Sequence, residues 1–153
     1  MSPHSIHVMV VGPTTRCDVL KVEKSSNRWS ELVQGMLSGL VLPDELRDRQ
    51  FAAYCNDDAI RLQLRPNHFA RQLGHWRLQG PVVFFRDEGD GEEYGLSPSD
   101  VQFLARYLAS PPSAEALERA NADKAFWLAN PSGHRVMSFE SMDDLFKALG
   151  WEE

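Results

Sequence analysis

Two cysteines in 153 residues, Cys17 and Cys55, allow at most one disulfide and exclude a cysteine-stapled scaffold. Both stand in apolar, strand-like surroundings where a thiol behaves as a small hydrophobe, so reduced thiols in a cytoplasmic protein are expected. No apolar run approaches the roughly 20 residues that cross a bilayer. The amino terminus, Met1-Ser2-Pro3-His4-Ser5, lacks a basic stretch followed by an apolar core, so neither export nor membrane contact is expected. Basic excess is missing as well. With 16 Lys+Arg against 22 Asp+Glu the net charge is −6, which opposes broad attraction to nucleic-acid backbones yet is too small for a mimic of DNA. His4, His7, His68, His75 and His134 lack the close spacing of a zinc site, and Asp57-Asp58 and the acidic tract Asp87 to Glu93 follow no calcium-loop pattern. Gly12-Pro13-Thr14-Thr15 follows a strand but does not continue to the Gly-Lys-Ser/Thr of a phosphate loop, and no Gly-x-Gly-x-x-Gly occurs. No metal, no cofactor and no catalytic residue is therefore assigned.

What is present suits one folded body. The chain is 42% apolar and 25% charged, the composition of an ordinary globular protein, and a chain of this size buries roughly two-thirds of its unfolded surface. Ile6 to Val11 reads as a buried strand stopped by Gly12-Pro13, and Cys17 to Val22 as its hairpin partner. Trp29, Leu32, Val33, Met36, Leu37 and Leu40 recur at helical spacing, which predicts a helix from Trp29 to Leu40 with Ser26 or Asn27 as N-cap; Gly35 and Gly39 weaken it or let a strand pass close by. Phe51 to Cys55 reads as a strand. Val82-Val83-Phe84-Phe85 suits a central strand covered on both faces, and the acidic tract after it a solvated loop. Ser97-Pro98-Ser99-Asp100 is a helix start, with a Ser cap, a Pro in the first turn and a reciprocal acid, leading into a helix from Pro98 to Ala109.

Ser110-Pro111-Pro112-Ser113 reads as a linker, dividing an α+β core domain (1–110) from a small extension (111–153) packed on it. The extension reads as a helix from Ala114 to about Asn121, a hairpin with arms Ala125 to Ala129 and Arg135 to Phe139, and a last helix begun by Ser141. The predicted fold is thus α+β: a mostly antiparallel sheet packed by two main helices, with a carboxy-terminal hairpin-helix extension.

The segment Phe51 to Arg86 is the part to search for a ligand. It carries Arg61, Arg65, Arg71, Arg77 and Arg86 with no lysine, and Asp57 and Asp58 are its only acids, so it is net positive inside a net negative protein. Asn56 and Asn67 each stand at a chain reversal. Their amides could read the polar edge of a base, or instead stabilise the turns through hydrogen bonds to the main chain, which Asn does well. The arginines with His68 could clamp phosphate or carboxylate in the planar fork of the guanidinium, with Phe69 and Trp76 available for stacking; the plainer alternative is a solvated, partly ion-paired surface. Asn56, Arg65, Asn67, His68 and Arg86 are the candidate ligand-binding residues.

Taken in order, the strand at Ile6, the helix around Trp29 to Gly35, Tyr54-Cys55-Asn56-Asp57, Arg65-Pro66-Asn67 and Gly80-Pro81-Val82-Val83-Phe84-Phe85 resemble domain of unknown function 3846 over about residues 6–108. The most specific parts are Cys55-Asn56 and Pro66-Asn67 at their mutual spacing. The resemblance implies a small protein of the kind common in bacteriophages, plasmids and their bacterial hosts, and supplies no catalytic residue. Together with the absence of a reaction motif, it leads to the expectation of a non-catalytic accessory protein of a phage or mobile element that binds a host protein. The alternatives are a protein that binds or sequesters a nucleotide-type small molecule and, last, a phosphoesterase-like enzyme.

Overall fold

A computed structural model of the chain describes residues 4–129. The first hairpin pairs β1 (Ser5–Val11) with β2 (Cys17–Glu23) along its whole length, Val8 opposite Leu20. β4 (Phe51–Asn56) and β5 (Val82–Asp87) are joined through a long loop, and the short β3 (Leu37–Gly39) lies outside β4. Every pairing is antiparallel and the strand order is β2-β1-β5-β4-β3, with β6 (Glu93–Tyr94) added beside the far end of β5. The α+β class expected from the pattern is the observed one.

β5 occupies the middle, and its four apolar residues alternate between two cores as the pleat requires. Val82 and Phe84 join Met9, Val11 and Leu73 on one face, beneath α3 (Pro98–Ala109), which contributes Leu104 and Leu108. Val83 and Phe85 join Ile6, Val8 and Val22 on the other, beneath α1 (Ser26–Val33), which contributes Trp29 and Val33. The Trp29 indole N–H donates to Glu93 Oε1 at 2.9 Å, and Lys24 Nζ reaches Glu92 Oε2 at 3.0 Å, so the acidic tract is a hairpin connection between β5 and β6 that helps seat α1 rather than a wholly solvated loop.

Three expectations need correction. The helix predicted over Trp29 to Leu40 is only α1, which begins at the Ser25 cap, not at Ser26 or Asn27, and stops at Val33. Gln34 turns left-handed (φ 67°), its N–H donates to Glu31 O, and the Gly35 N–H donates to Ser30 O, the paired bonds of a Schellman ending. The rest of the apolar stripe then becomes strand: Leu37 faces the core in β3 while Met36 is 65% exposed. Gly35 earns its place through space, because a Cβ there would come within 2.7 Å of the Asn56 amide.

The helix predicted to end near Asn121 continues as α4 (Ala114–Ala129), which absorbs the supposed strand arm Ala125 to Ala129. Its alanine-rich sequence favours helix, and the extra turns bring Asp123 to the N–H groups of Trp76 and Arg77 and Trp127 under the Arg77 guanidinium at 4.8 Å. α4 is also tied to α2 (Asp44–Arg47), a short helix not foreseen after Pro43, by Arg119 to Asp44 and by the Asp44 N–H to Glu115. Cys17, expected in apolar surroundings, is exposed at the start of β2, and no disulfide joins it to Cys55. The second hairpin arm and the last helix lie outside the described residues.

Asn67 is buried and holds three segments at once: its Nδ2 donates to Val11 O (3.1 Å) and Gly80 O (2.9 Å), and its Oδ1 accepts from Phe69 N–H (2.9 Å). Gly12, at φ +75°, leaves the room: a Cβ would stand 2.5 Å from that Nδ2. Removing the amide leaves buried carbonyls without donors, so Asn67→Ala is expected to lower unfolding stability in urea by about 2–4 kcal/mol, whereas exposed Arg65→Ala should stay within about 0.5 kcal/mol.

Candidate functional site

Asn56 resembles Asn67 in its employment. It ends β4 in a buried position, donates from Nδ2 to Val33 O at 3.1 Å and accepts at Oδ1 from the Asp58 N–H at 2.7 Å. Of the two roles weighed for these amides, the turn-stabilising one is what the hydrogen bonds display, and their polar atoms address the main chain. Asn67 is joined to its neighbours through the backbone as well: the His68 N–H donates to Pro13 O at 2.7 Å and Arg65 O accepts from the Gly80 N–H at 2.7 Å. The Arg65 and His68 side chains are exposed, the His68 ring resting edge-on against Phe69 at 5.0 Å. Arg61 pairs with Asp58, as an ion-paired surface would have it.

Arg86 is placed differently. Near the end of β5 its guanidinium donates to Asp100 Oδ1 (3.1 Å), Gln50 Oε1 (2.9 Å) and, more weakly, Arg49 O (3.4 Å), with Glu88 at 3.8 Å. Asp100 is also the reciprocal acid of the α3 capping box: its Oδ2 accepts from the Ser97 N–H at 2.8 Å while the Ser97 hydroxyl accepts from the Asp100 N–H. This pair forms a wall between two clefts. One, of about 420 Å³, is bounded by Arg49, Phe51 and the α3 residues Ser99, Gln102, Phe103 and Arg106. The other, of about 510 Å³, contains His7, Glu88, Tyr94 and Leu96. Neither cleft is lined by Asn56, Arg65, Asn67 or His68.

Of the residues around the first cleft, only Arg86 was singled out from sequence. Ser99, Gln102, Phe103 and Arg106 stand at i, i+3, i+4 and i+7, so their common helical face was readable once α3 was recognised. Arg49 was not, since only the fold lays it over the Phe103 ring, 3.8 Å from guanidinium carbon to centroid. Among the described residues no three His, Cys, Asp or Glu side chains gather as metal ligands, and no helix is long and apolar enough to cross a membrane. No family model, curated protein or solved structure matches the chain.

In the second cleft the Tyr94 hydroxyl donates to Asp90, and this hydrogen bond, before any burial or the charges of Asp90 and Glu88, pushes the phenol up to about 12. A phenol raised in the folded state adds stability that is fully present below its unfolded value, about 10, and is lost as pH rises through about 12. Ring-carbon NMR of tyrosine-labelled protein should show one residue titrating near that value, and Asp90→Asn should bring the same resonance back toward about 10.

Proposed function

We propose that the protein is a non-catalytic accessory factor of a phage or mobile element that works by binding a host protein, and that the open edge at β3 is where the partner docks. The observation that carries this reading is the contrast between the two ends of the sheet. β2, at one end, bears Asp18, Lys21 and Glu23, charges of the kind that discourage strand addition. β3, at the other, is Leu37-Ser38-Gly39, without a charge.

Its hydrogen-bond phase is fixed by the flanking bonds. Leu40 N–H donates to Ala53 O and Asp57 N–H to Met36 O, so Met36, Ser38 and Leu40 face β4 and the alternation turns the N–H and C=O groups of Leu37 and Gly39 outward. Beside that edge Met36, Val41 and Leu62 stand 65%, 60% and 42% exposed, large apolar side chains left in water. An extended partner segment with apolar side chains satisfies both features, pairing main chain to main chain and covering the flanking side chains, which is the β-augmentation mode of peptide recognition. The net charge of −6 favours a protein partner over a nucleic-acid backbone.

A photo-crosslinking amino acid at position 36, with position 19 on the β2 edge as control, tests this in lysate of the bacterial host. A discrete adduct is expected from position 36 alone, weakened about 3- to 10-fold by Gly39→Pro, which removes an outward N–H, or by Met36→Glu when the probe is placed at Leu62. Equal labelling from both edges, or adducts indifferent to both substitutions, sinks the reading.

A further inference from the structure

We infer that the cleft between Arg49 and the α3 face is an anion site, taking a phosphate group either free or carried on a molecule of nucleotide size. The electrostatics come first. Arg16, Arg28, Arg47, Arg61, Arg86 and Arg119 each have a carboxylate within 4.0 Å, whereas Arg49 and Arg106 have none among the described residues. The one acid on the cleft wall, Asp100, is answered by Arg86 on one oxygen and by the Ser97 N–H on the other. Two uncompensated positive charges therefore face one hollow in a protein whose net charge is −6. Glu88, the remaining acid near Arg86, belongs to the neighbouring cleft, on the far side of the Arg86–Asp100 wall.

Geometry supports the same ligand. The Arg49 guanidinium is held flat on Phe103, and Phe103 stacks in turn on Phe51, ring centroids 5.9 Å apart and planes within 13°. A stacked guanidinium loses side-chain freedom but keeps its in-plane N–H groups for an oxyanion, the arrangement in which arginine outperforms lysine. Arg106 lies one turn along α3 from Phe103 and Gln102, and Ser99 one turn before them, so an anion between the two guanidinium groups also meets neutral donors from Ser99 and Gln102. The cleft volume of about 420 Å³ lies within the roughly 300–1,000 Å³ of small-molecule sites, enough for more than the anion itself. The nucleotide-type alternative thus moves from the Asn56, Arg65, Asn67 and His68 loops to Arg49 and Arg106, with Arg86 retained as a wall.

Calorimetric titration of the full chain at low ionic strength with ADP, inorganic phosphate and adenosine decides it. ADP is expected to bind, adenosine not, and Arg106→Gln and Arg49→Gln should each weaken ADP about tenfold or more while Arg65→Gln leaves it within about twofold. Inorganic phosphate as tight as ADP identifies the bare anion as the ligand, and a tighter ADP shows the nucleoside held in the remaining volume; either upholds the site. Because Arg106 makes no contact that the fold needs, circular dichroism melting of Arg106→Gln should match the wild type, which separates lost binding from lost folding. No heat from ADP or phosphate at millimolar concentration, equal affinity for adenosine, or an equal loss in Arg65→Gln overturns the assignment. The cleft shares no residue with the β3 edge, so this inference and the docking reading can fail separately.

Discussion

The buried amide of Asn67 is the constraint on which the rest of the molecule hangs. It grips the last carbonyl of β1 and the carbonyl two residues before β5, so the two strands leave it already aligned, Val11 opposite Val82. From that starting register β5 runs through the centre of the sheet, delivering Val82 and Phe84 to one core and Val83 and Phe85 to the other. A slip of one residue would exchange the two sets and reverse every side chain on the strand. Arg86, four residues beyond Val82, would then face away from Asp100, and the wall between the clefts would be lost. A structural hydrogen bond at one end of a strand thereby fixes an electrostatic feature at the other.

Much of this was legible because the local signals and the tertiary demand agree. The β1–β2 hairpin, the doubly covered β5 and the capped start of α3 each follow from residues within a few positions of one another. The failures arose where a distant partner decides. The apolar spacing from Trp29 to Leu40 fits a helix without fault, but Asn56, arriving from 23 residues away, takes the Val33 carbonyl and needs the Cβ-free space at Gly35, and the chain turns there. Ala125 to Ala129, with two aromatics in five residues, has the composition of a strand; Trp127 is helical because Arg77 covers its ring and Asp123, one turn earlier, caps the Trp76 and Arg77 amides.

The candidate site shows the same division more sharply. Sequence can say that an asparagine follows a strand, but not whether its amide turns inward to main chain or outward to a ligand; for Asn56 and Asn67 the answer came from carbonyls far away in the chain. Likewise a count of arginines cannot separate the neutralised from the uncompensated. Arg61 and Arg47 stand three residues from an aspartate and pair with it locally, which their spacing could have foretold. Arg49 and Arg106 are set apart by having no such neighbour in space, a property of the fold and not of the segment.

Asp100 then links folding to binding in a way neither role would suggest alone. As the reciprocal residue of the capping box it fixes where α3 begins, and hence where Ser99, Gln102 and Arg106 project; as the partner of Arg86 it removes one positive charge from the cleft those residues line. Its side chain is 14% exposed, so water screens the pair less than it would a surface ion pair. Replacing the carboxylate with an amide of equal shape would therefore raise the positive potential of the cleft while keeping a hydrogen-bond acceptor at the helix start. Truncating it to alanine would do the first and loosen the second. The two substitutions act alike on the field but differently on the position of the donors, so comparing them separates attraction by charge from recognition by placed groups, the distinction that decides whether a pair of arginines is merely a basic surface or a site.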